Sequence, residues 1–67
     1  MDISKALKEE RELQKKSQSE VARETGISQQ NISNYESGKT VPDVFSAYVL
    51  AKYYNVSIEE LIEKTAE

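Results

Sequence analysis

Cysteine and histidine are absent from these 67 residues, proline occurs once and glycine only twice. Without cysteine there is no disulfide to staple a small domain, no thiolate nucleophile and no sulfur ligand for zinc. Without histidine there is no imidazole base, and the commonest metal ligand is missing too. Most enzyme and metal-site chemistries fall with those two residue types, so neither catalysis, nor a metal, nor a small-molecule cofactor is expected. No run approaches the roughly 20 apolar residues of a membrane span, and the opening MDISKALKEE is too charged for a signal peptide. A cytoplasmic protein is expected. The length suits one domain over 1–67 with one hydrophobic core and little stability to spare.

Glycine at 26 and 38 and proline at 42 are the only strong breakers in a chain otherwise rich in helix formers, which predicts an all-α domain. Ser17 stands three residues before Glu20 and Ser57 three before Glu60, the capping-box spacing in which hydroxyl and carboxylate reciprocally satisfy orphan backbone N–H groups. Ser28 and Asp43 are further N-cap candidates. Five helices follow, near 2–14, 18–25, 29–37, 43–54 and 58–65. Ile3, Ala6, Leu7 and Leu13 form the apolar stripe of the first. Val21 and Ala22 face inward from the second, Ile32 and Tyr35 from the third, and Ile58, Leu61 and Ile62 from the fifth.

The third helix is unusual in its polar face. Gln29, Gln30, Ser33 and Asn34 share one side in an i, i+1, i+4, i+5 pattern, where a helix built for solubility would carry Glu and Lys. Each Gln or Asn amide holds a donor and an acceptor in one plane, matching the N6 donor and N7 acceptor of adenine in the major groove. The short ETGIS connection precedes this helix. Gly26 is free to take the positive φ that redirects the chain, and Ala22, one turn earlier, allows close helix crossing. Gln18, Ala22, Gly26, Ile32 and Tyr35 together form a helix-turn-helix signature spanning about 18–37.

The segment SQSEVARETGISQQNISNYESGKTVPD, with Arg11 upstream and LAKYYNVSIEEL downstream, resembles the phage repressor and Cro family, which includes the xenobiotic-response-element type regulators. The resemblance extends over nearly the whole chain and implies a compact five-helix, lambda-repressor-like DNA-binding fold. It implies that Gln29 and Gln30 read bases, with Ser33 and Asn34 further along the groove. Gln18 is implied at a phosphate, and Ser28, Asn31, Lys39 and Lys16 are the other phosphate candidates. An Arg11–Glu36 pair is implied too, read here as a structural tie between the first and third helices. Lys15 and Lys16 depart from the family, which usually has a glycine and then an apolar residue there; Leu13 is expected to supply the missing packing.

Charge sets limits on binding. Residues 1–40 carry seven basic and seven acidic side chains, and residues 41–67 two and five, so a polyanion has to approach the first forty. Few cations remain for phosphate, which predicts a shallow salt dependence and weak binding by a monomer. Helix four, VFSAYVLAKYY, is apolar on nearly every side. Ala47, Leu50, Ala51 and Tyr54 form one stripe. Phe45, Tyr48 and Val49 form another, and there two outcomes stand open: Phe45 rotates inward to fill the space beside Ala47, or Phe45, Tyr48, Val49 and Ile58 make a two-fold interface. The expectation is a bacterial or phage-encoded transcriptional regulator, a repressor, binding a roughly palindromic double-stranded operator as a homodimer. The alternative is a protein-interaction module, antitoxin-like or partner-docking, on the same fold.

Overall fold

The computed structural model describes residues 3–65, and Met1, Asp2, Ala66 and Glu67 lie outside it. Five helices follow in chain order: α1 Ser4–Leu13, α2 Gln18–Thr25, α3 Gln29–Ser37, α4 Val44–Tyr54 and α5 Ile58–Thr65. There is no strand among the described residues. The part of the first helix expected at residue 2 falls outside those described.

Four helix starts are written in side-chain chemistry. Ser17 accepts from the Glu20 N–H at 3.0 Å while the Glu20 carboxylate accepts from the Ser17 N–H at 3.0 Å. Ser57 and Glu60 repeat that exchange at 3.0 and 3.1 Å. Ser28 accepts from the Asn31 N–H and Asp43 from the Ser46 N–H. That bond to the Ser46 backbone holds the Asp43 carboxyl below its ordinary range. Each cap satisfies a backbone donor that the helix itself leaves without a partner.

The helix ends follow an equally local rule, because every junction between consecutive helices contains one residue in the left-handed region: Lys15, Gly26, Gly38 and Asn55. After three of them the next N–H reaches back five residues, Lys16 to Arg11 O, Lys39 to Asn34 O and Val56 to Ala51 O, at 2.9–3.1 Å. This is the Schellman closure, which favours glycine and tolerates asparagine. Lys15, at φ 56°, gains neither advantage. A left-handed L residue costs about 1–2 kcal/mol, partly offset by glycine's greater freedom when unfolded. Lys15→Gly is therefore expected to raise stability by about 0.5–1 kcal/mol and the melting temperature by a few degrees. A thermal melt with an unchanged or lower midpoint would overturn that expectation.

Ala6, Leu7, Val21, Ile32, Tyr35, Leu50, Ala51, Tyr54 and Leu61 make a single core drawn from all five helices. Ile3, Ala22, Ile27, Tyr53, Val56 and Ile58 pack around its edge. Leu13 does not join it. Its side chain is 71 % exposed and lies beside Glu9 and Glu12, so the packing expected of it is absent. The inward face of α1 runs through Ile3, Leu7 and Glu10, and the exposed Gln14, just past the helix end, continues that line with its amide donating to Tyr54 O at 2.8 Å; Leu13 sits one residue, about 100°, off it. Phe45 does not turn inward either. At 75 % exposure it stands in solvent with Val41, Val44 and Tyr48, while Leu50, Ala51 and Tyr54 supply the buried side of α4. No helix among the described residues is long and apolar enough to cross a membrane.

Candidate nucleic-acid interface

Helix α3 is pinned from behind. Ile32 and Tyr35 point into the core, three residues apart on one face, and the polar row is thereby turned the other way. Gln29, Gln30 and Asn31 are exposed, and Ser33 and Asn34 are half-buried. Gln30 Nε2 donates to Asn34 Oδ1 at 3.2 Å, one turn along the helix. That bond uses one of the two Gln30 amide hydrogens and one acceptor site on the Asn34 oxygen, and aligns the pair.

The far end of α3 is held by charge. Arg11 Nε and Nη2 donate to Glu36 Oε2 and Oε1 at 2.8 and 3.0 Å, a two-pronged contact between α1 and the last turn of α3. Arg11 Nη1 donates to the Lys16 carbonyl at 2.8 Å, fixing the loop before α2 as well. The pair is largely removed from water, with 13 % of the arginine and 5 % of the glutamate side chain exposed. The hydrogen bond to Glu36 raises the Arg11 pKa above its already high ordinary value. Burial raises that of the neighbouring Tyr54 phenol, and the Glu36 charge adds to the rise.

The residues expected at phosphate divide into two groups. Lys39 and Asn31 are exposed, and Ser28 is exposed with its hydroxyl accepting the Asn31 N–H. Lys16 and Gln18 are half-buried and engaged within the protein: Lys16 Nζ lies 3.7 Å from Glu24 Oε1, and Gln18 Nε2 donates to Glu36 Oε1 at 3.1 Å. Glu24 also accepts from the Tyr53 hydroxyl. Through that bond the Glu24 carboxyl is held below its usual range and the Tyr53 phenol is pushed up to about 12. Tyr53 stacks edge-on against Tyr54 with ring centroids 5.2 Å apart, so this clasp ties α2 to the core side of α4.

One basic neighbour escaped the sequence reading. Lys8 lines a shallow recess of about 130 Å³ together with Gln18, Ser33, Glu36 and Ser37, beside the outward row of α3. No local signal marks it, because its neighbours come from two other helices. The second apolar stripe of α4 is uneven. Phe45 and Tyr48 are exposed, Val49 is half-buried, and Ile58 packs against the core edge. Among the described residues, no group of three or more Asp, Glu, His or Cys is placed to hold a metal ion.

A capped helix following a left-handed glycine, crossed by its predecessor and presenting an outward row of amides, defines a helix-turn-helix domain of the Cro/C1 type. The chain belongs to that family: residues 7–61 match the family described as Helix-turn-helix. It is 38 % identical over 64 residues to the HTH-type transcriptional regulator ImmR of Bacillus subtilis (strain 168). The matched region covers 96 % of this chain and 50 % of that protein, so the chain spans about half the length of the curated relative it matches. No solved structure matches.

Proposed function

We propose that this chain is a transcriptional repressor that reads double-stranded DNA in the cytoplasm, inserting α3 into the major groove as a homodimer. The carrying observation is that Gln29, Gln30, Ser33 and Asn34 stand on the solvent side of a helix whose other side is locked by Ile32 and Tyr35. An unpartnered polar surface has no need of that composition; a base-reading one does. The exposure of Lys39, Asn31 and Ser28 supports their role at phosphate, and Lys8, in the recess beside Ser33, is a further cation for it. With so few cations, one domain binds weakly, and two domains on adjacent major grooves, about 34 Å apart, recover affinity and read a near-palindrome. Phe45 and Tyr48, with Val44 and Val41, offer exposed apolar area for the second copy, and the half-buried Val49 and Ile58 are the further candidates for that interface.

Selection of bound fragments from random duplex DNA tests this reading. The wild-type chain is expected to enrich a near-palindrome with adenines at fixed positions and to hold two chains per site. Each amide–adenine pair discriminates by about 1–3 kcal/mol, so Gln29→Ala with Gln30→Ala should lower the preference roughly 30-fold or more while the melt stays within a few degrees. Enrichment of the same sequences by the double variant would sink the reading. A wild-type chain that enriches nothing but captures another protein through its apolar surface would favour the docking alternative.

A further inference from the structure

We propose that Gln18 is a positioning residue for the reading helix: by donating its side-chain amide to Glu36, it sets the angle at which α3 meets α2, and so the reach of the outward amides. This rests on the DNA-reading role proposed above and adds a residue that acts through the fold.

Gln18 is the first residue of α2 and Glu36 lies in the last turn of α3, so their 3.1 Å contact joins opposite ends of the helix-turn-helix unit. At the other end the two helices are joined covalently through residues 26–28. Helix α3 is therefore hinged at its start and fastened at its finish. From Gln29 to Glu36 the axis runs about 10 Å, so a 1 Å displacement at Glu36 tilts the helix by about 6° and moves Ser33 and Asn34 by roughly half an ångström. That is the tolerance within which a binding constellation has to be held.

The fastening has three strands, and Gln18 is the one from α2. Glu36 Oε2 accepts from Arg11 Nε, while Oε1 is shared between Arg11 Nη2 and Gln18 Nε2. The guanidinium neutralises the carboxylate, and a neutral amide then completes its coordination without competing for the arginine. A hydrogen bond to a charged acceptor is stronger than one between neutral groups, which makes Glu36 a preferred partner for the amide. The recess shared by Gln18, Ser33, Glu36 and Ser37 puts this contact directly beside the reading row.

Affinity is measured at one salt concentration for the wild-type chain, Gln18→Met and Gln18→Lys, on the selected operator and on a random duplex of equal length. Melts of all three are recorded. Methionine keeps the length and helix preference but has no donor. Gln18→Met is expected to weaken operator binding about tenfold, within the range of one lost specific contact, and random-duplex binding less than about twofold. Gln18→Lys returns a donor to Glu36 and should restore the operator-to-random ratio while strengthening binding to both. Equal losses on the two duplexes with methionine would make Gln18 a backbone contact and overturn the proposal. So would a lowered melt with the ratio kept, a chain that fails to fold, or a lysine variant that gains affinity without regaining the ratio. A wild-type chain with no preference for any duplex removes the DNA-reading function itself, and this inference with it.

Discussion

Glu36→Ala is expected to cost about 3–5 kcal/mol of folding free energy, the range for stripping one partner from a buried ion pair. The loss falls on what remains. Arg11, with only 13 % of its side chain exposed, keeps its bond to Lys16 O but loses both bonds to the carboxylate, and Gln18 loses its acceptor. A chain of this length commands only about 3–10 kcal/mol in total, so the variant should be marginal or unfolded at 25 °C. Replacing both partners, Arg11→Met with Glu36→Met, should recover most of the loss, because neither position then leaves a buried charge without its counter-charge. Urea unfolding followed by far-ultraviolet circular dichroism measures all three chains. A loss below about 1 kcal/mol for Glu36→Ala would assign the pair to the class of solvent-screened surface bridges, against the burial found here.

Ile32→Ala should cost about 2–5 kcal/mol, since the side chain is only 2 % exposed and its removal leaves a cavity behind α3. Leu13→Ala is the internal control. It deletes a leucine that the helical pattern places in the core but that is 71 % exposed, so a change within about 0.5 kcal/mol is expected. The two should differ in denaturant midpoint with little change in slope. Equal costs would place Leu13 in a packed environment and contradict the structure.

Much of the fold was legible because the devices that build it are local. A hydroxyl at Ser17 or Ser57 and a carboxylate three residues on each find the other's backbone N–H within a single turn, and Gly26 and Gly38 occupy the left-handed turns their freedom suits. The core positions of α2, α3 and α5 followed from helical spacing, since three- and four-residue steps return to one face. Helix α1 was less legible. Its stripe continues through Glu10, a buried charged residue, and Gln14, a polar one, while the leucine between them is left outside. A pattern that weighs only hydrophobicity passes over the polar pair and accepts Leu13. Lys15 was likewise marked as out of place, but its left-handed conformation came to light only with the backbone.

The sequence by itself determined five helices, four of them with capped starts, the turn before α3 and the row Gln29, Gln30, Ser33 and Asn34 on one face, because each depends on residues within about one helical turn of one another. The tertiary structure alone decided that Gln18 bonds Glu36, that Lys8 lies beside α3, that Tyr53 clasps Glu24 and that Phe45 stays in solvent. Those partners stand far apart along the chain. Whether they meet depends on how helices cross and which side chains fill the space between them, and that is settled by packing all five helices at once.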